Sequence, residues 1–135
     1  MKYYISQIFN SPFNHILGIL PDLLSQEGFG IITQIDVKDT LRKKLDIDYK
    51  NYVILGACNP QLALRAFQAE DKIGTLLPCN VIVIDQGDGT TEVAYMDSVT
   101  LMGNIGNPEL ELLAKEANER LGRVMHELKH IIEKE

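Results

Sequence analysis

β-branched and aromatic residues crowd positions 2–9 (KYYISQIF), a pattern that predicts a first strand. Ser11 and Pro12 then read as an N-cap and first helical residue. Phe13, Ile16, Leu17, Leu20, Leu23 and Leu24 follow at helical spacing. Pro21 interrupts that stripe by removing the bond to the Leu17 carbonyl, which predicts a kinked helix, and Gly28 supplies its C-terminal stop. Phe29, Ile31, Thr33 and Ile35 alternate as a second strand over 29–36. Val37, Leu41 and Leu45 form the stripe of a short helix opened by Asp36 or Asp39.

Residues 51–58 (NYVILGAC) are apolar at both parities, which predicts a central strand with both faces covered. Asn59-Pro60 opens a third helix over 60–70. Residues 80–86 and 90–97 flank Gln86-Gly87-Asp88-Gly89 as a hairpin. Asn107-Pro108-Glu109 starts a long last helix, with Leu110, Leu113, Ala117, Leu121, Val124, Leu128, Ile131 and Ile132 on one side. The order β-α-β-α-β-α-β-β-α contains no linker or repeat, so the expectation is one α+β domain over residues 1–135, with about five strands in a mixed or antiparallel sheet.

Composition narrows the class. With 45% hydrophobic and 24% charged residues the chain matches a globular protein, excluding disordered and collagen-like classes. A net charge of −6 repels phosphate backbones, so neither nucleic acid nor a membrane surface is expected as a partner. The opening residues MKYYISQIFN lack the apolar core of a signal peptide, and no stretch has the length of a membrane span. Two cysteines without CxxC spacing fit reduced thiols in the cytoplasm.

Four segments invite chemistry. His126-Glu127-Leu128-Lys129-His130 is a literal H-E-x-x-H, the zincin arrangement of two ligands and a general base. With Leu128 facing the core, both histidines fall about 160° away on the polar side. Only five residues follow His130 to supply a third ligand. His126 and His130 therefore read as a solvated face capable at most of opportunistic metal binding. In VIVIDQGDGT, Asp85 and Asp88 are three apart, where a dehalogenase-type phosphotransferase needs two, and a calcium loop fits no better; the segment reads as a turn.

Gly56-Ala57-Cys58-Asn59-Pro60 and Leu77-Pro78-Cys79-Asn80 are the stronger pair. Each sets a Cys-Asn beside a proline at a strand end. Asn59 would cap a helix, leaving Cys58 near unsatisfied N–H groups that favour a thiolate or an anion. Buried core cysteine, a capping Asn and a rigid turn at Pro78 explain the same residues without a site. The other reading is a small pocket or reactive thiol at Cys58, Asn59, Pro78, Cys79 and Asn80. No histidine lies nearby to activate a thiol, and neither a Walker string nor GxGxxG occurs, so no cofactor is expected.

Gly28-Phe29-Gly30 with Ile35-Asp36, then Gly56 to Pro60, Ile73-Gly74, Leu77 to Val81 and Glu119-Arg120-Leu121 together resemble the prokaryotic family called domain of unknown function 302. The resemblance covers nearly the whole chain and includes both Cys-Asn blocks, but not the H-E-x-x-H string. It implies a topology similar to that of the TATA-binding protein, a sheet with helices packed mainly on one face, and it brings no activity with it. Fold similarity to a DNA binder is not DNA binding. The resulting expectation is a cytoplasmic binding or sensing module, homodimeric through the uncovered sheet face, with a small-molecule ligand. The alternative is a thiol or redox enzyme using Cys58, with Cys79 resolving.

Overall fold

Alternating β-branched residues pair into one antiparallel sheet in the computed structural model, which describes residues 2–135 and leaves Met1 outside. The strands are β1 (Tyr4–Phe9), β2 (Gly30–Asp36), β3 (Tyr52–Cys58), β4 (Cys79–Asp85) and β5 (Thr91–Met96). Their spatial order is β1-β5-β4-β3-β2, and every neighbouring pair is antiparallel. β4 and β5 form the expected hairpin. Gly87 and Gly89 take positive φ there, and the Asp85 and Asp88 carboxylates accept the Gly87 and Thr90 N–H groups, which accounts for both aspartates as turn residues.

Five helices accompany the strands: α1 (Phe13–Gln26), α2 (Val37–Leu45), α3 (Pro60–Ala69), α4 (Ser98–Met102) and α5 (Pro108–Lys134). Short 3-10 turns follow α3 (Asp71–Leu76) and α4 (Gly103–Ile105). Neither α4 nor the turns carried a periodic signal, being too short for one. Asp36 caps α2 by accepting the Asp39 N–H. Ser11 does not cap α1. Pro12 is the extended residue before Phe13, and Ser11 is buried, its carbonyl accepting the Thr91 hydroxyl at 2.8 Å. α1 runs through Pro21, which lies on the exposed side where solvent reaches the backbone it frees.

α1 ends as its sequence implies. The Phe29 N–H reaches the Leu24 carbonyl at 2.9 Å and the Gly28 N–H the Ser25 carbonyl at 3.0 Å, with Gly28 at φ 83°, a Schellman stop. Leu24 and Phe29, both buried, seal it.

The main core lies between one sheet face and two helices. Val53, Leu55, Val81, Val83, Val93 and Tyr95 meet Ile16, Leu20 and Leu24 of α1 and Leu121, Val124 and Leu128 of α5. A second cluster sits toward one end, where Leu62, Ala66, Ile73 and Met102 face Leu110, Leu113, Ala114 and Ala117 of α5. The other sheet face is open. Side-chain alternation puts Tyr4, Ile8, Ile35, Ile54 and Ile82 there, and Ile8 is 59% exposed. β3 is thus central in the sheet but covered on one side, because the helices pack mainly on one face. Val53, Leu55 and Ala57 are buried, whereas Tyr52, Ile54 and Cys58 are half-buried.

Candidate functional site

Backbone close approaches shape the sheet end where β3 leaves and β4 enters. A Cβ on Gly56 would stand 2.0 Å from Thr33 Oγ1 and 3.0 Å from Pro78 Cγ, so only glycine lets β2 and the Pro78 turn close on β3. One residue beyond β3, Asn59 Oδ1 accepts the Leu62 N–H at 3.2 Å and caps α3, with Pro60 in the first turn. Asn59 Nδ2 donates to the Glu27 carbonyl at 3.4 Å, and Arg120 Nη1 donates to the same oxygen at 3.0 Å. Arg120 also pairs with Glu116, and Arg123 with the Glu27 carboxylate. The end of α1, the start of α3 and the middle of α5 are joined at one carbonyl.

Behind this knot lies a cavity of about 280 Å³, walled by the ends of β3 and β4, by α3 with its 3-10 turn, by Ser98 and Met102 of α4, and by α5. It exists because its walls are small: Ala57, Ala63, Ala66, Ala114 and Ala117 all line it. Ile32 and Phe67, 61% and 46% exposed, also line it and mark its mouth. No Asp, Glu, Lys, Arg or His side chain lines it. Its polar side chains are those of Asn59, Ser98, Cys58 and Cys79.

These four differ. Asn59 already has a partner at each end of its amide. Cys79 is buried and Cys58 half-buried, both as free thiols. Burial pushes the Cys79 thiol above its ordinary value; the nearby Ser98 hydroxyl offsets part of this, and Cys58 adds to it. The register pairs Cys79 with Ala57, so Cys58 is one step away and leaves its strand toward the opposite face. Ser98 is completely buried. Its N–H donates to Asn118 Oδ1 at 3.0 Å, while its Oγ, near the Cys79 thiol but outside hydrogen-bond geometry, has no partner. Asp97 anchors the segment by accepting from Asn118 Nδ2 at 2.9 Å and from the Thr100 N–H and hydroxyl. These bonds, the one from Asn118 foremost, hold its carboxyl below the usual carboxylate range.

Compared with known families, the chain matches the model of one described as Domain of unknown function DUF302 over residues 6–128. The chain belongs to the DUF302 family. A solved structure agrees: the crystal structure of an uncharacterized conserved DUF302 protein from Bacillus stearothermophilus superposes with a TM-score of 0.84 at 30% identity, covering 92% of this chain and 96% of that one. No curated protein matches the chain.

Of the blocks that carry the DUF302 resemblance, those around Phe29, Gly56 to Asn59, Gly74 and Leu77 to Cys79 meet at this cavity, Arg120 lies in the knot beside it, and Ile35-Asp36 lies at the far end of β2. Gly28, with a Cβ position 2.7 Å from Asn59 Nδ2, lies against the Asn59–Arg120 knot, while Gly56 meets Pro78. Of the five residues singled out in sequence, Cys58, Asn59, Pro78 and Cys79 line the cavity, whereas Asn80 is exposed on β4 and does not. Asn80 pairs in register with Gly56, and alternation turns it from Cys79's side to the open face. His126 and His130 stand exposed on α5, and no group of three or more His, Cys, Asp or Glu suited to a metal occurs among the described residues. No described helix is long and apolar enough to cross a membrane.

Sequence reasoning missed Ser98 and the alanine walls. Ser98 carried no signal at all. The alanines did: Ala63 with Ala66, and Ala114 with Ala117, recur three apart on their helices, a spacing that puts small side chains on one face.

Proposed function

We propose that this DUF302 protein is a small-molecule-binding module whose ligand occupies the cavity beside Cys58, Asn59, Pro78 and Cys79. The observation that carries this reading is an apolar cavity with no charged lining, five of whose lining residues are alanines, beside a main core of large buried side chains. Such a cavity suits a neutral compact molecule and disfavours a charged one, which would lose its hydration without a counter-charge. A thermal-shift screen of neutral apolar compounds, from indole to biphenyl in size, tests it against the wild type and Ala117→Leu. Compounds that raise Tm in the wild type and fail in the variant are expected; a wild type that responds to none overturns the reading.

A second observation favours a homodimer. α2 carries an apolar stripe of Val37, Leu41 and Leu45 yet buries none of its residues, and on the open sheet face Ile35 of β2 and Ile8 of β1, at opposite edges, are also exposed. Glu92 is the one charged residue among the paired strand positions of this face, and it accepts from the Ser6 hydroxyl. An apolar, nearly uncharged face on a chain of net charge −6 complements a second copy of itself. Light scattering at micromolar concentration should give a dimer that Ile8→Glu converts to monomer; a monomeric wild type removes the reading. The two free thiols fit a reducing, cytoplasmic setting.

The thiol-enzyme alternative is weaker. Burial raises the Cys79 thiol, opposite to what a resolving thiolate needs. Alkylation of Cys58 at neutral pH faster than that of a model peptide would revive it.

A further inference from the structure

β1 is one of the two edges of the sheet, and its pairing with β5 fixes which of its backbone groups are free. The Asp97 N–H donates to the Tyr3 carbonyl at 2.8 Å, in step with the Tyr4–Met96 register. In an antiparallel ladder, residues that bond the neighbouring strand alternate with residues that do not. Ile5, Gln7 and Phe9 therefore bond β5, while Tyr4, Ser6 and Ile8 turn their N–H and C=O groups outward. Among the described residues, no backbone group outside the ladder bonds these three.

The two edges are not equivalent. β2, at the far edge, has a register shift between Ile31 and Thr33, ends in Asp36 and runs directly into α2, which packs against it. Bulges, charges and covering elements are what keep an edge from pairing with another chain. β1 lacks the first two: YISQIF holds no charge and no proline, and its register with β5 is unbroken. On the helix side a groove between β1 and α5, lined in part by Ile5, Gln7, Met125, His126 and Lys129, runs beside the strand.

The outward residues are also symmetric about Ser6. Tyr4 and Ile8 lie two positions to either side of it, both exposed on the open face. Antiparallel pairing of two copies about Ser6 sets Ser6 against Ser6 and Tyr4 against Ile8, each pair exchanging both backbone bonds. Every side chain keeps its face. Tyr4 and Ile8 become an aromatic and β-branched cross-strand pair, and Ile5 meets Gln7 beside the groove. A slip of one residue would oppose core-facing to open-facing side chains, which fixes the register.

We propose that two copies of this chain join by antiparallel pairing of their β1 edges about Ser6, making one continuous sheet across a two-fold axis. This rests on the homodimer reading and adds where the copies meet: at the β1 border of the open face rather than the α2 border. The contact is isologous, and an uncharged strand brings no like charges together.

Hydrogen exchange of the full-length ¹⁵N-labelled wild type, followed by NMR at a concentration whose assembly state is set by light scattering, tests this directly. The Tyr4, Ser6 and Ile8 amides are expected to be protected alongside those of Ile5 and Gln7; a free edge would leave protection alternating along β1. Ser6→Pro removes an outward N–H that the single chain does not use, so it should preserve the β1–β5 ladder and give a monomer. In that monomer the Tyr4 and Ile8 amides should exchange roughly tenfold faster or more. Ser6→Ala keeps the N–H, loses only the hydroxyl bond to Glu92, and should remain a dimer. If Ser6→Pro fails to fold, the wild-type exchange pattern decides by itself. A dimer whose Tyr4, Ser6 and Ile8 amides exchange freely, one that survives Ser6→Pro, or one that Ser6→Ala dissolves overturns the edge contact and leaves the homodimer reading standing. A monomeric wild type overturns both.

Discussion

α5 serves two neighbourhoods, and they are built differently. Its C-terminal half presents Leu121, Val124, Met125 and Leu128 to the sheet and α1, where large side chains interlock. Its N-terminal half sets Ala114 and Ala117 after Leu110 and Leu113 in a cluster with Ala66 of α3, and there the cavity opens. The same helix, with apolar positions at one spacing throughout, thus yields a filled core at one end and a vacant one at the other. Side-chain volume makes the difference, and hydrophobic periodicity alone does not report it. The filled half is joined by packing. The open half relies more on polar ties: the Asn59–Glu27–Arg120 knot, and Asp97 with Asn118.

The largest effect should come from reversing volumes across that divide. Leu121→Ala in the filled half is expected to cost about 3 kcal/mol, by lost burial and an unfilled void. Ala117→Leu, which adds bulk where space exists, should stay within about 1 kcal/mol of wild type. Chemical denaturation measures both; equal losses would mean that the two halves are packed alike.

Asp97→Asn comes next and probes the polar ties. It should cost about 1 kcal/mol at neutral pH through weakened hydrogen bonds to Asn118 and Thr100. The folded-state pKa of Asp97 is depressed, so its contribution is full above the ordinary value of 3.8 and is lost as pH falls through the lower folded value. The gap between wild type and variant should therefore narrow below that pH, as denaturation midpoints in acid would record. A gap independent of pH would mean that the ionised form has no special role.

Ser98→Ala should be smaller and of opposite sign, stabilising by up to about 1 kcal/mol, because it removes an unpaired buried hydroxyl. A loss of stability on calorimetry would mean that the hydroxyl has a structural partner. The smallest effect is reserved for His126→Ala with His130→Ala. Both residues are exposed, and with chelator present the double variant should lie within about 0.5 kcal/mol of wild type. A larger shift would give the histidines a structural part that their exposure does not suggest.

Much of the layout was readable from local rules. Asn59 and Asn107 cap α3 and α5 as their spacing to proline implies, Gly28 stops α1, and Gly87-Asp88-Gly89 turns the hairpin. These signals are legible because each acts within a few residues of itself. Ser11 shows the limit: it has the chemistry of a cap, but the Thr91 hydroxyl, 80 positions away, takes its carbonyl as the residue is drawn inward. Asn80 is a similar case, a neighbour of Cys79 that strand alternation turns to the other face.

The sequence by itself determined the strands, the main helices, their caps and the pairing of two Cys-Asn blocks at strand ends, because propensity, periodicity and turn chemistry are local. It also made the family legible, since the resemblance lies in the order and spacing of short blocks. Only the tertiary structure decided that the sheet is wholly antiparallel, that β3 is covered on one side alone, and that alanines from α3 and α5 line a space with Ser98 in its wall. A cavity is what side chains distant in sequence fail to fill together. No single segment records it, and a hydroxyl is without a partner only once every neighbour has been placed.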